Sequence, residues 1–384
     1  MSEEKKTIVR KETGGSKDKF WNPRFWDGAT ISVWFKALAA GRGRCSLARV
    51  PMGIIVTLIS PFNSACAFFQ RLFYGGKIRR QKLVAPPIFI LGHWRSGTTL
   101  LHEYLIRDDR FTFADTYTCF APSHFLFTRK WLSPLVGLLM PKKRPMDNMA
   151  AGLARPQEDE FALCALGVPS PYLNILFPNN PPICAEYLTL RDVPDAAREK
   201  WLDAFEQLLK ALTVAEPKTV VLKSPPHTGR IRTFLKRFPD AKFIYIHRNP
   251  YVLFPSTFNL WMKLSMTHGL QIPKEDGLTE KVLSDFAKMD AAYEEDRQLL
   301  KEGQLTEIAF DDLTRDPVGV MEKIYSEIGL DGFEDVREKF EAFAGTQKNY
   351  KKNRFEIAPE IADAISQRWR GYLDRYHYEN PANS

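Results

Sequence analysis

Residues 92–99, Gly-His-Trp-Arg-Ser-Gly-Thr-Thr, have the composition of a loop that holds an anion. Gly92 and Gly97 permit a tight turn and a close backbone approach. Arg95 adds a cation, and Thr98 and Thr99 add hydroxyls. The frame G-x-x-x-x-G is that of the Walker A loop, yet Thr98 stands where that loop needs Lys. A nucleoside triphosphate requires that cation and a Mg²⁺ site for its β- and γ-phosphates. A single terminal phosphate is the better match.

Two later segments carry further anion chemistry. Lys242–Pro250 (KFIYIHRNP) reads as a strand that ends at Arg248 and leads into a helix with Ser256 eight residues after the arginine. That spacing lets both side chains close on one anion at the strand's C-terminal end, where ligands of open α/β sheets bind. Lys218–Arg230 (KTVVLKSPPHTGR) is a third strand, delivering Lys223 at its end.

The blocks GHWRSGTTLLH, LKSPPHTGRI and FIYIHRNPYVLFPSTF, in this order, resemble the signature blocks of sulfotransferases that use 3′-phosphoadenosine 5′-phosphosulfate (PAPS). IAFDDLTRDP and NYKKNRFEI follow in the same order, and the resemblance covers about residues 84–376. It implies that Arg95, Ser96, Gly97, Thr98 and Thr99 hold the 5′-phosphosulfate end of PAPS. It assigns the 3′-phosphate to Arg248 and Ser256, and implies that Lys352 and Arg354 lie in a loop folding over the nucleotide. One departure is Arg95, where many sulfotransferases have Lys; arginine keeps the charge and adds a bidentate fork.

Sulfuryl transfer is an in-line displacement, so catalysis rests on positioning and fixed cations. No metal is needed if Arg95 and Lys223 meet the developing charge, and Lys223 is placed nearest the bridging oxygen. The acceptor, a small molecule or a lipid carrying a hydroxyl or amine, needs a general base. Glu160 of RPQEDEFAL and His227 rank equally for that role, ahead of Glu158 and His102, while Asp159 is a partner for Arg155.

These residues need strands to present them. Apolar runs at Ile88–Leu91, Thr219–Leu222, Phe243–Ile246 and Glu307–Phe310 read as strands, the first as a fully buried one. Helical patterns separate them, at about Ala196–Leu212, Thr228–Phe238, Tyr251–Thr267, Glu280–Lys301 and Val318–Ile328, with a closing helix at Pro359–Tyr376. The expectation is an α/β, P-loop-like three-layer fold: a central, mostly parallel sheet flanked by helices, plus a helical N-terminal appendage. The Pro-rich stretch Pro141–Pro182 reads as mainly loop, and the aromatic and Pro-rich loops Phe111–Phe127 and Pro169–Pro182 point to a partly apolar acceptor.

The 384 residues carry 54 Lys/Arg and 46 Asp/Glu, but residues 1–82 hold 16 of the cations against 5 acids. The rest is slightly acidic, which excludes nucleic acid as a partner of the main body. Five scattered cysteines without a CxxC pair exclude a disulfide framework and a structural zinc, and point to a reducing, cytoplasmic setting. We divide the chain into a basic, partly apolar appendage over 1–82, a transferase domain over 83–378 and a polar tail over 379–384. Val50–Gln70 is free of charge between basic flanks. It reads first as a helical hairpin breaking at Ser60-Pro61, second as an interfacial element facing anionic lipid, and last as a membrane span. The second reading brings peripheral membrane contact through residues 20–82, at the inner face of the membrane. Trp21, Phe25, Trp26, Trp34 and Phe35 read as cover for a neighbouring core. The competing functions are a P-loop kinase or NTPase, disfavoured by Thr98, and a non-catalytic nucleotide- or lipid-binding protein.

Overall fold

In the computed structural model, the described residues are 22–140, 152–347 and 357–380. Five parallel strands form one sheet: β1 (Ile88–Leu91), β2 (Phe111–Phe113), β3 (Thr219–Lys223), β4 (Lys242–His247) and β5 (Leu305–Ala309), in the order β2-β3-β1-β4-β5. All four residues of β1 are buried, as a central strand covered on both faces requires. The order reverses around β1, which pairs with β3 on one side and β4 on the other. Ile90 lies opposite both Lys223 and Ile244, so β1 and β3 end within one residue of the same level, and β4 runs on past it to His247. That level is the crevice where such sheets bind ligands.

Before the sheet come α1 (Ile31–Ala40) and α2 (Val50–Arg80). Three helices lie between β1 and the acidic block: α3 (Thr98–Leu105), α4 (Thr116–Phe120) and α5 (Phe125–Leu139). The acidic block opens α6 (Asp159–Ala165), followed by the single turn α7 (Leu173–Leu176) and the long α8 (Asp195–Ala215) that leads into β3. After β3 come α9 (Ile231–Arg237), then α10 (Pro250–His268) and α11 (Leu278–Asp296). Beyond β5 lie α12 (Phe310–Arg315), α13 (Pro317–Glu327), α14 (Glu334–Gln347), α15 (Pro359–Arg368) and α16 (Arg370–Tyr376). One apolar cluster, with Phe89, Phe205 and Phe243, fills one side of the sheet, and a second, with Ile90, Ile244 and Ile324, fills the other.

The expected three-layer α/β architecture is present, with three corrections. First, residues 50–80 are one continuous helix rather than a hairpin. Pro61 has no N–H to offer the carbonyl of Thr57, and the Ser60 hydroxyl donates to that carbonyl at 3.0 Å instead, so the turn survives. Second, Phe111–Phe113, read as loop, is the edge strand β2. Third, the closing helix is divided at Trp369. Phe25, Trp26 and Trp34 are buried in the first cluster beside Phe89, so the N-terminal segment is built into the main core. Phe35 is 54% exposed, and Trp21 lies outside the described residues.

Candidate active site

The turn after β1 adopts a conformation that ordinary side chains resist. Gly92 has φ +142° and Gly97 φ +110°. A Cβ on Gly92 would meet the Ile246 carbonyl oxygen at 2.6 Å, and one on Gly97 would meet the Phe310 ring at 2.3 Å. Between them Arg95 itself takes a left-handed φ of +70°, an uncommon conformation for a non-glycine residue. The Gly92 N–H donates to the Thr228 hydroxyl at 2.8 Å, anchoring the turn to the segment after β3. The first N–H groups of α3 have no acceptor within the helix by position and point out of its start. The Ser96 hydroxyl is buried and meets no hydrogen-bond partner among the described residues. Backbone donors, an unmatched hydroxyl and a cradle only glycine leaves open fit the 5′ end of a phosphosulfate nucleotide.

The second anion group adjoins this turn. The Arg248 guanidinium donates to the carbonyl oxygen of Arg95 at 2.8 Å and lies over the Phe310 ring at 4.1 Å. The Arg95 Nε donates to the Ser256 hydroxyl at 2.9 Å. Arg95, Arg248 and Ser256 are therefore one cluster, in which Arg95 bridges the glycine turn and the start of α10. Lys352 and Arg354 lie outside the described residues.

Lys223 ends β3 with a side chain only 1% exposed, and its ammonium meets the Glu158 carboxylate at 3.0 Å. The second Glu158 oxygen accepts from the Tyr172 hydroxyl, which accepts in turn from the indole N–H of Trp94 at 3.0 Å. Burial, with the Glu158 charge next to it, pushes the Tyr172 phenol well up, so it keeps its proton and remains a donor. One polar chain thus runs from the glycine turn through Trp94, Tyr172 and Glu158 to Lys223. No local sequence pattern marks Trp94 or Tyr172 as part of it.

The acidic block separates three ways. Glu158 precedes the first turn of α6 and keeps 14% of its side chain exposed, whereas Asp159 and Glu160 are sealed at 1% and 0%. Glu160 accepts from both terminal nitrogens of the buried Arg230, at 2.6 and 3.1 Å, and from the Ser170 hydroxyl at 2.5 Å. Asp159 holds His227 at 2.6 Å and accepts from Ser224 at 3.0 Å. Burial pushes the Asp159 carboxyl up, but His227 and the Ser224 hydrogen bond outweigh it and leave it below the ordinary value. His227 itself stands edge-on to Phe89, Phe205 and Phe234, with no exposed surface. The expected Asp159–Arg155 pair does not form: Arg155 reaches Glu103 at 3.0 Å. His102 is buried, and burial, with the Lys223 charge nearby, drives it down to about 3, a poor proton acceptor.

The sealed pair gives a stability prediction. Glu160→Ala leaves the Arg230 guanidinium buried and uncompensated, which should cost about 3–5 kcal/mol. Thermal unfolding should show a large fall in Tm; an unchanged Tm would mean that Arg230 finds water or another acid.

The profile of the sulfotransferase family matches residues 86–335. The chain belongs to the sulfotransferase family. This enzyme transfers sulfuryl groups, the general activity of the family being PAPS-dependent. Among characterised relatives, the omega-hydroxy-beta-dihydromenaquinone-9 sulfotransferase Stf3 of Mycobacterium bovis is 38% identical over 371 residues, which span 97% of this chain and 95% of that protein. The same-named protein of Mycobacterium tuberculosis matches equally well. At most 13 of the 384 residues lie outside that span, so most of the N-terminal segment is shared with these relatives. In fold, the sulfotransferase is similar to STF9 from Mycobacterium avium (TM-score 0.63, 19% identity, 92% of this chain and 97% of that one). It is also similar to STF1 from Mycobacterium tuberculosis (TM-score 0.60, 16% identity, 90% and 94%).

Four buried histidines should make the folded enzyme acid-sensitive. Burial drives His93 and His268 down to about 3 and His124 down to about 4, and His102 joins them. Their unfolded value is about 6.5. Below it the unfolded chain takes up protons that the folded chain refuses. Their contribution is complete above pH ~6.5 and falls by about 1.4 kcal/mol per histidine for each pH unit lower. Denaturant midpoints should therefore drop steeply from about pH 6.5 to about pH 4; a flat profile would show these rings protonated inside the fold.

Proposed function

We propose that the enzyme moves the sulfuryl group of PAPS to the hydroxyl of an apolar, lipid-like acceptor, with Glu158 as general base and Lys223 as the cation at the bridging oxygen. The polar chain from Trp94 to Lys223 is the observation that carries this reading, because it ties the donor turn to one carboxylate that still has open surface. The bound donor supplies an electrophilic sulfur and a nucleotide leaving group. The residues 95–99 hold its 5′ end, while Arg248 and Ser256, with Arg95 beside them, hold the 3′-phosphate. Lys352 and Arg354, which lie outside the described residues, are proposed as further cations for the nucleotide. Glu158 takes the hydroxyl proton as the acceptor oxygen bonds to sulfur. Lys223 meets the negative charge left when the bond from sulfur to the bridging oxygen breaks. With Arg95, Arg248 and Lys223 supplying positive charge, the transfer needs no divalent ion.

Glu158 takes this role in preference to Glu160 and His227, whose proton-accepting atoms are committed to Arg230 and Asp159 inside the core. The lipid reading draws support from the relative whose name specifies an omega-hydroxy menaquinone-type acceptor. A cytoplasmic position at the inner face of a membrane, with contact through the N-terminal segment, brings such an acceptor within reach. We keep 83–378 as the transferase domain, 1–82 as the membrane-side segment and 379–384 as the tail; the family match, residues 86–335, lies inside the proposed domain. Incubation with sulfur-35-labelled PAPS and a panel of hydroxylated isoprenoid quinones, simple phenols and sugars tests the reading. Label should enter the quinones in the presence of EDTA; label confined to sugars or phenols would overturn the acceptor class.

A further inference from the structure

Helix α2 is inside out for a surface in water. Its buried face is rich in polar groups, with Ser60, Asn63 and Gln70, while Ile54, Leu58, Phe62, Phe69 and Phe73 lie exposed on the opposite face. The inner face is tied down along its length. The Thr57 hydroxyl accepts from the Trp34 indole at 2.9 Å, the Asn63 amide donates to the Asp27 and Ala29 carbonyls at 2.6 and 3.0 Å, and Gln70 accepts from the Leu126 N–H at 2.8 Å. The apolar outer face continues onto α5: Phe69 stacks on Phe127 at 5.6 Å, Phe62 meets Trp131 at 6.1 Å, and Leu138 is 83% exposed.

We propose that the outer faces of α2 and α5 form a platform that lies flat in the surface of an anionic bilayer. The proposal rests on the membrane contact put forward above and narrows it to one face, one orientation and one lipid charge. By length and composition α2 is able to cross a membrane, and at 31 residues it is about 46 Å long. A crossing would strip the inner-face hydrogen bonds, which bind α2 to the domain from Thr57 to Gln70, so the helix lies in the plane. Charge selects the partner. Residues 28–82 carry nine Lys/Arg and no Asp/Glu, placed around the charge-free stretch 50–70. Two copies of this chain meeting through α2 would set basic ends against one another, whereas anionic headgroups neutralise them. The platform is also tied to the reaction centre. Arg129 of α5 forms two hydrogen bonds to Asp115, at 2.6 and 2.9 Å, and Asp115 bridges Pro156, two residues before Glu158.

Flotation of the full chain with phosphatidylcholine vesicles, with and without about 30 mol% phosphatidylglycerol, tests this. Binding should require the anionic lipid and weaken with salt. Leu58→Glu and Phe73→Glu should each lower the partition coefficient about tenfold or more, while retained binding of adenosine 3′,5′-bisphosphate shows that the variants are folded. Vesicle binding equal in wild type and both variants, no vesicle binding by wild type, or a dimer in solution that Leu58→Glu dissociates, would each overturn the proposal. Wild-type binding lost in both variants, with no lipid sulfated in the transfer assay, would uphold the platform and refute the acceptor reading.

Discussion

Glu158→Gln should lower kcat by about 10²–10⁴ while leaving nucleotide affinity near that of the wild type. The amide keeps the shape of the carboxylate and still accepts from Tyr172, but it cannot take a proton from an acceptor hydroxyl. Glu158 is the one member of the acidic block with open surface, and its contacts to Lys223 and Tyr172 hold it beside the glycine turn. The paired control is Glu160→Gln, expected to reduce stability far more than the turnover of the folded fraction. If Glu158→Gln keeps wild-type turnover, or loses nucleotide binding in parallel, the base lies elsewhere and Glu158 is only the counter-ion of Lys223.

Lys223→Ala should cost about 10²–10³ in kcat, the scale seen when one preorganised donor to a developing negative charge is removed. The variant should also expose what the ammonium does for Glu158, since the carboxylate loses its 3.0 Å partner. Lys223→Arg is the informative companion: a planar guanidinium in a site with 1% exposure does not fit as a compact ammonium does. It should restore little of the rate. Single-turnover kinetics separate this loss from slow product release. Full activity of Lys223→Arg would mean that charge alone, without placement, is enough.

Most of the candidate anion site was legible in the sequence because each part is local: a strand, then a turn with two glycines, and a strand ending in Arg followed eight residues later by Ser. Parallel pairing adds only the fact that these ends meet, and Arg248 on the Arg95 carbonyl is the contact that shows it. The acidic block was legible only in part. Which of Glu158, Asp159 and Glu160 keeps open surface is decided by Arg230, His227 and Lys223, which lie 65 to 70 residues away in sequence. Tyr172 and Trp94 look like core aromatics, and only the fold puts their polar atoms in line. The hairpin expected at Ser60-Pro61 failed because one serine hydroxyl satisfied the carbonyl that Pro61 left unmet. Strand β2 was missed because three residues are too few to show a period. The outward apolar face of α2 carries no signal in composition, since the same residues turned inward would make an ordinary core helix.

Calorimetric titration of adenosine 3′,5′-bisphosphate into wild type and Arg248→Ala, in EDTA, tests the central claim most directly. We expect 1:1 binding by the wild type with no divalent ion present. In Arg248→Ala the affinity should fall about 30- to 150-fold, the loss of a charge-assisted contact to the 3′-phosphate. Equal affinities, or wild-type binding that disappears in EDTA, would contradict a metal-free grip at the ends of β1 and β4.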